Sequence, residues 1–135
     1  MSQKHYAEIK RVEGPFIAEI QGTTLAKADY AMELQEYHPS YEFAPVYYLP
    51  QASVDFSKLQ SNENHTSCPI KGSASYWNLI SDASTAGEVE NIAWSYPQPL
   101  ESASDLKDTV AFDLSKKVKL LRDGEPVTGW GIKKK

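Results

Sequence analysis

The fold of this chain is indicated first by the stretch His65-Thr66-Ser67-Cys68-Pro69-Ile70-Lys71-Gly72-Ser73-Ala74-Ser75-Tyr76-Trp77. Pro69 and Gly72 predict a turn there, because proline fixes its φ angle and glycine tolerates backbone conformations that other residues avoid. Beyond the turn the side chains alternate, with Ala74, Tyr76 and Asn78 on one face and Ser75, Trp77 and Leu79 on the other. This period of two predicts a β-strand over Ala74–Ile80.

A partner strand is predicted over Glu88–Tyr96, where the side chains alternate again. The small polar stretch Ser81–Gly87 separates the two strands as a turn, so an antiparallel hairpin is expected. Pro97 and Pro99 end the second strand, because proline has no amide hydrogen to give to a sheet.

Other segments alternate in the same way and extend the predicted sheet. Ala31–Tyr37 fits a strand better than a helix, although most of its residue types also propagate helices well. Ser102–Asp108 is the best helix candidate, since serine can cap a helix and Asp105 complements its positive N-terminal end. The remaining predicted strands are His5–Val12 (a strand or a leading arm), Phe16–Gln21, Thr24–Ala28, Val46–Leu49, Val110–Leu114, Lys117–Arg122 and Val127–Ile132.

Connections are predicted where proline, glycine and polar residues cluster. Gly14-Pro15 interrupts the first strands, His38–Pro45 forms a loop, and Asp123-Gly124 is a strong tight-turn signal. The polar stretch Ser53–Asn64 is expected to be a surface connection, with room for one helical turn. Eight tyrosines, four phenylalanines and three tryptophans also favour strands. These features predict a mainly β, single-domain antiparallel fold with one short helix.

Composition limits the classes of function. The 135 residues are enough for one domain, predicted over 1–135 with its core at about 14–122. A net charge of −4 argues against binding to nucleic acid, which needs a basic face. The basic C-terminal tail, 131–135, is interpreted as a solvated terminus.

The single cysteine, Cys68, excludes an internal disulfide and a thiolate-rich zinc site within one chain. The polar N-terminus lacks the apolar segment of a secretion signal, and no apolar run approaches the roughly 20 residues that cross a bilayer. We therefore expect a cytoplasmic protein without a membrane partner. No metal site is predicted, and neither a cofactor nor an oligomeric state follows from the sequence.

Cys68, Lys71 and His65 are the candidates for catalytic chemistry. An ammonium near Cys68 favours the reactive thiolate, and His65 is placed to act as its base or partner. The alternative is that Cys68 is a small buried apolar residue, as cysteine often is. Lys71, next to Gly72, fits an anionic ligand such as a phosphate or carboxylate, or equally a local ion pair.

Aromatic side chains recur at matched positions of the predicted hairpin. Tyr76, Trp77, Trp94 and Tyr96 either line a concave face that grips a flat or cationic ligand or pack in the core. Tyr76 and Trp77 must point to opposite faces, because neighbours on a strand alternate. Glu88 and Glu90 share one face and fit either a divalent ion or solvent exposure.

These motifs resemble those of domain-of-unknown-function family 427. The resemblance rests on Cys68-Pro69-x-Lys71-Gly72-x-Ala74-x-Tyr76-Trp77 and Ala93-Trp94-Ser95-Tyr96-Pro97-x-Pro99, and it extends over about Phe16–Leu121. Supporting matches are Ala28-Asp29-x-Ala31-x-x-Leu34-x-Glu36, Tyr47-Tyr48-Leu49-Pro50 and Val110-Ala111-Phe112.

The resemblance implies a small antiparallel fold of the β-tent kind. Some catalogues file the family as nucleotidyltransferase-like, an activity that would use Gly72-Ser73 with Glu88 and Glu90. Many β-tent relatives bind zinc through paired cysteines, a feature that one cysteine cannot supply here.

The predicted function is a small-molecule binding pocket for an aromatic or anionic ligand. Its expected lining is His65, Cys68, Lys71, Gly72, Tyr76, Trp77, Trp94 and Tyr96. The alternatives are an enzyme that uses Cys68 or Lys71, and nucleotide transfer of the kind that the family's filing suggests.

Overall fold

Long antiparallel strands in one sheet make up most of the fold. The computed structural model describes residues 5–81 and 87–135, so the predicted turn Ser81–Gly87 lies mostly outside the described residues. The strands are β1 Tyr6–Ile20, β2 Thr23–Tyr37, β3 Tyr41–Phe43, β4 Val46–Pro50, β5 Leu59–Cys68, β6 Gly72–Leu79, β7 Val89–Ser95, β8 Thr109–Phe112, β9 Val118–Arg122, β10 Glu125–Pro126 and β11 Ile132–Lys134. All pairings among them are antiparallel, which confirms the predicted mainly β class.

The strand order explains how distant segments meet. The sheet runs β10-β9-β1-β2-β4-β8-β7-β6-β5, with β3 beside β2 and β11 beside β3. Strand β8 therefore lies between β4 and β7, so side chains of β4 and β7 can meet across it. The predicted hairpin of β6 and β7 is present, with Tyr76 directly opposite Trp94.

The break predicted at Gly14-Pro15 is wrong, because β1 continues through it. The pairing of β1 with β2 shifts register between Glu13 and Phe16, which accommodates the proline as a β-bulge. A Cβ atom on Gly14 would lie 2.6 Å from the Phe16 amide nitrogen and 3.1 Å from the Asp29 carbonyl oxygen. Glycine is therefore needed there for close backbone approach.

The prediction of a surface connection over Ser53–Asn64 is right for the helical turn but wrong from Leu59 onward, where a strand begins. Two 3₁₀ turns, Gln51–Ser53 and Phe56–Lys58, are followed by the ten-residue strand β5. Strand β5 is at the edge of the sheet, and most of its side chains are exposed on both faces. Such a strand carries polar residues throughout and lacks the apolar alternation by which strands are recognised.

The predicted helix forms at nearly the expected place, as the 3₁₀ helix Glu101–Leu106. Ala103 has non-helical angles, φ −122° and ψ 22°, so the helix is broken in the middle. Ala103 and Leu106 are its buried residues, and residues three apart share one side of a 3₁₀ helix. The short helix thus covers part of the core without extending into an α-helix.

The C-terminus forms short strands in place of the predicted closing strand Val127–Ile132. Asp123-Gly124 makes the expected tight turn, with φ of 51° and 80°, and leads into β10. The basic tail is paired through its backbone, because β11 lies against β3. Its lysine side chains remain exposed, as predicted for a solvated terminus.

Two groups of buried side chains form the core. The larger group includes Phe16 and Ile20 on β1, Leu25 on β2, Ile92 on β7 and Val110 on β8. The smaller group is centred on Tyr48, which is 1% exposed, and includes Leu34, Ala74, Tyr96, Ala103, Leu106 and Ala111.

Candidate functional site

An open cleft of about 630 Å³ lies beside the smaller core group. Strands β4, β5, β6 and β7 and the segment between β10 and β11 all contribute to it. One part of the cleft lining is aromatic, and the other part is polar or charged. The lining residues are Val46, Tyr48, Tyr76, Trp94, Tyr96 and Trp130, with Asn64, His65, Thr66, Lys71, Asn91, Asp113 and Lys116.

The aromatic part of the cleft is built around Trp94. Its ring meets that of Tyr48 edge to face, with centroids 6.2 Å apart and planes at 89°. The Trp94 Nε1 donates a hydrogen bond to the Tyr48 hydroxyl at 3.2 Å. Ala111 pairs with Trp94 in the sheet, and its small side chain leaves room for the two rings. Packing and this hydrogen bond together fix the orientation of the indole.

Trp130 extends the aromatic surface from outside the predicted hairpin. It lies between β10 and β11, with its ring centroid 6.1 Å from that of Trp94 and the planes at 59°. The neighbouring Gly131 carbonyl accepts a hydrogen bond from the Ala44 amide at 3.0 Å, which anchors the segment. Trp130 is 37% exposed, so part of its face is available to a ligand.

Two tyrosines behind the cleft are held in their neutral form. Burial raises the pKa of Tyr48 well above its ordinary value. Burial is also the main cause of the raised pKa of Tyr96, with further contributions from Cys68 and Tyr76. Both phenols therefore act as hydrogen-bonding groups at neutral pH, and neither is a proton-transfer group there.

These raised pKa values predict loss of stability in alkali. The unfolded tyrosine pKa is 10.0, and the folded values of Tyr48 and Tyr96 lie above it, so their contribution is complete below pH 10 and is lost as the pH rises further. We expect phenolate absorbance from these two residues to appear only as circular dichroism reports unfolding. The Tyr96→Phe variant should shift the alkaline transition upward. Reversible ionisation of all eight tyrosines in the folded protein would contradict this.

Lys71 reaches the cleft, but its charge is already paired. Its Nζ lies 3.0 Å from Glu36 Oε1, and the other carboxylate oxygen accepts a hydrogen bond from His5 Nε2 at 2.5 Å. The Lys71 and Glu36 side chains are only 14% and 10% exposed. Of the two interpretations of Lys71, a local ion pair is the one that these contacts match.

Lys116, the second cation at the cleft, is paired in the same way. Its Nζ donates hydrogen bonds to the carbonyls of Glu90, at 2.7 Å, and Asn91, at 3.3 Å. It also lies 3.7 Å from Asp113 Oδ2. The charges that line the cleft therefore largely balance, and the site is less basic than a lysine count suggests.

The structure brings five of the eight predicted ligand-binding residues to the cleft: His65, Lys71, Tyr76, Trp94 and Tyr96. Tyr76 and Trp94 are cross-strand neighbours, and the Tyr76 hydroxyl lies 2.7 Å from Thr66 Oγ1. His65 Nδ1 donates to the Ala74 carbonyl at 3.2 Å, which fixes its ring beside the β5–β6 pair.

Trp77, Cys68 and Gly72 do not line the cleft. Trp77 points to the other face of β6, as alternation requires, and packs against Phe56 with centroids 5.5 Å apart. Cys68 ends β5 and packs, partly buried, against the smaller core group. Gly72 begins β6 with φ 115°, and a Cβ there would lie 3.3 Å from the Gln98 carbonyl oxygen. Its role is thus to connect the hairpin.

The contacts of Lys71 and His65 also bear on the predicted nucleophile. The Lys71 ammonium bonds to Glu36, and the His65 ring bonds to the backbone of Ala74. The hydrogen bond at Cys68 is a backbone one, in which its carbonyl accepts from the Lys71 amide at 3.3 Å. The arrangement of thiol, base and ammonium expected for a cysteine nucleophile is not made by these contacts.

The acidic residues proposed for nucleotide transfer lie elsewhere. Glu88 and Glu90 are exposed and do not belong to the cleft lining. Gly72-Ser73, the other pair expected to take part in nucleotide transfer, opens strand β6 and does not line the cleft either. Within residues 5–81 and 87–135, no group of three acidic, histidine or cysteine side chains is arranged to hold a metal ion.

Several residues of the site escape sequence reasoning. Tyr48 enters the sequence analysis only as part of a family motif, and Trp130 lies in a segment interpreted as a closing strand. Asn64 and Asn91 lie on strands whose polar residues resemble any exposed surface. Glu36 is a charged residue that is 9% exposed in an alternating strand, a position at which charge signals a partner.

Comparison with known families identifies the chain. The family model described as a domain of unknown function (DUF427) matches residues 8–124. The chain belongs to the DUF427 family. Among curated proteins no significant match is found. The match covers a longer stretch than the Phe16–Leu121 expected from the motifs, and it includes all of β2 to β9.

The cleft of this DUF427 domain combines residues inside and outside the matched region. Trp94 and its neighbours on β4 to β7 lie within residues 8–124, whereas Trp130 follows them. The model's short name refers to nucleotide transfer, and its description assigns no function. No helix in the described part of the DUF427 domain has the length and apolar character needed to span a membrane.

Proposed function

We propose that the protein binds a flat aromatic small molecule in this cleft, without covalent chemistry. The observation that carries the proposal is that the rings of Tyr76, Trp94 and Trp130, from two strands and the C-terminal segment, meet at one open space in front of two buried tyrosines. Aromatic rings that face solvent on one side can stack on a planar ligand. A cleft of about 630 Å³ is within the range of volumes that small-molecule sites occupy.

The charge pattern favours an aromatic ligand over a purely anionic one. Lys71 is paired with Glu36, and Lys116 is paired with Asp113 and two backbone carbonyls. An anion would have to compete with these existing partners, which removes most of the electrostatic gain. Stacking on Trp94 and Trp130 requires no such exchange.

The proposal is tested by calorimetric titration with adenosine, riboflavin and indole as flat probes and ribose 5-phosphate as an anion without a ring system. We expect at least one flat probe to bind and ribose 5-phosphate to fail. Trp94→Ala and Trp130→Ala should each weaken that binding about tenfold, since stacking on one ring contributes roughly 1–3 kcal/mol.

Tyr37→Ala is the matched control. Tyr37 is 38% exposed and stacks on Tyr6, away from the cleft, so its loss should leave affinity unchanged. The proposal fails if no flat probe binds, if ribose 5-phosphate alone binds, or if both tryptophan variants bind like the wild type. A loss of ligand binding in Trp130→Ala is not explained by misfolding, because Trp130 is largely outside the core.

A further inference from the structure

Four asparagines form a hydrogen-bonded network across strands β5, β6 and β7 beside the cleft. Asn62 Nδ2 donates to Asn78 Oδ1 at 2.6 Å and to Asn91 Oδ1 at 2.9 Å. Asn64 Nδ2 also donates to Asn91 Oδ1, at 3.0 Å. Asn64 and Asn91 line the cleft.

Two backbone amides determine the orientation of every side-chain amide in this network. The Asn91 amide N–H lies 3.0 Å from one Asn78 side-chain atom, which must then be oxygen, because a backbone N–H only donates. The Asn64 amide N–H assigns the Asn62 oxygen in the same way, at 2.8 Å. The Asn62 nitrogen therefore faces Asn91, whose contacting atom must be oxygen. That oxygen in turn requires nitrogen from Asn64.

This assignment decides which groups remain for a ligand. The Asn91 oxygen already accepts two hydrogen bonds, so Asn91 retains its Nδ2 as a donor. Asn64 uses an Nδ2 hydrogen and retains its Oδ1 as an acceptor. Among residues 5–81 and 87–135, no further hydrogen-bond partner of these two atoms is found. Two touching amides thus present one donor and one acceptor at the polar part of the cleft.

The backbone makes Asn91 a fixed member of the site. Its φ is +52°, in the left-handed region, where asparagine and aspartate are tolerated better than other side chains with a Cβ. The pairing of β6 with β7 shifts register between Trp77 and Leu79, which is the level of this residue. The irregularity turns Asn91 toward the other asparagines, and its carbonyl is held by Lys116 at 3.3 Å.

We infer that the ligand is a heterocycle whose edge carries a hydrogen-bond acceptor beside a donor, read by Asn91 Nδ2 and Asn64 Oδ1. This inference rests on the proposed function, since stacking on Trp94 and Trp130 holds the ring while the asparagines select its edge. Lactam and amidine heterocycles carry such an edge. Discrimination by paired polar groups is strong, because a mismatched ligand leaves a donor or acceptor unpaired.

The test changes the donor of Asn91 into an acceptor. Asn91→Asp keeps the shape, tolerates the left-handed backbone and still accepts from Asn62 and Asn64, but it loses Nδ2. The probes are adenosine and inosine, each with one acceptor and one donor on the edge, and guanosine. Guanosine has the same pair, O6 and N1–H, and also a 2-amino group that gives it two adjacent donors. We expect the wild type to bind all three and Asn91→Asp to weaken adenosine and inosine at least about tenfold while retaining guanosine.

Gln60→Glu is the matched control, because it adds the same negative charge at an exposed site on β5 outside the cleft. It should leave the order of the three nucleosides unchanged, and melting temperatures report whether each variant folds. If Asn91→Asp weakens all three equally, or changes none, the edge inference is overturned while binding that depends on Trp130 still supports the proposed function. If the wild type binds indole, which has no acceptor on its edge, but neither riboflavin nor any nucleoside, the inference is likewise overturned.

Discussion

Replacing Tyr48 by alanine is expected to destabilise the protein by about 3–5 kcal/mol, the typical cost of removing a large aromatic side chain from a core. Tyr48 is 1% exposed and packs against Trp94 and Tyr96, with ring centroids 6.2 Å and 6.3 Å away. The substitution opens a cavity at the centre of the smaller core group. It also removes the hydrogen-bond acceptor of the Trp94 indole. Urea denaturation followed by tryptophan fluorescence measures the loss.

Tyr48→Phe separates packing from hydrogen bonding at the same position. It keeps the ring and removes only the hydroxyl, so the expected cost is about 1 kcal/mol. Ligand affinity should fall modestly in Tyr48→Phe, because the indole of Trp94 loses a contact that orients it. A cost for Tyr48→Ala no greater than that for Tyr48→Phe would show that the site is supported by other residues.

Removing the carboxylate of Glu36 is the second change with a large expected effect. Glu36→Ala leaves the Lys71 ammonium, with a side chain only 14% exposed, without its partner at 3.0 Å, and it also frees His5. Breaking a largely buried ion pair from one side costs about 3 kcal/mol, since the remaining charge is poorly solvated. We expect that loss in chemical denaturation at neutral pH.

The exposed pair of Glu42 and Lys133 provides the control. Its atoms are 3.5 Å apart and its side chains are 61% and 76% exposed, so Glu42→Ala should cost less than about 1 kcal/mol. Adding Lys71→Met to Glu36→Ala should recover part of the loss, because it removes the orphaned charge. Equal costs for the two glutamate variants, or no recovery by Lys71→Met, would refute the assigned role. Glu36→Ala should also gain measurable affinity for ribose 5-phosphate, as Lys71 becomes available to anions.

The strands of the fold could largely be predicted, since alternation is a local property. The predicted strands Ala74–Ile80 and Ala31–Tyr37 fall on β6, which ends at Leu79, and on β2, because the alternation of their side chains is visible in the sequence. Strand β5 could not be found in this way: at the sheet edge its two faces are both exposed, and its polar sequence carries no period. The prediction of a strand break at Gly14-Pro15 failed because a bulge allows a strand to continue through residues that normally end one.

The site was predictable only where it coincided with the hairpin. Tyr76 and Trp94 were placed together by strand pairing, which the local pattern encodes. The pairing of Lys71 with Glu36 joins residues 35 positions apart, and Trp94 meets Tyr48 across 46. Such contacts depend on the order of strands in the sheet, and strand order is decided by the packing of the whole chain.

The amino-acid sequence alone was sufficient to predict the antiparallel β class, the family and the position of the aromatic hairpin that forms part of the cleft. Each of these follows from local periodicity or from a contiguous motif. Tertiary structure alone decided which of Tyr76 and Trp77 faces the cleft, that Lys71 is neutralised by Glu36, and that Asn91 and Trp130 join the cleft. The physical reason is that burial, charge pairing and the direction of a free donor are properties of neighbours in space. Those neighbours come from strands that the sheet, and not the sequence order, places side by side.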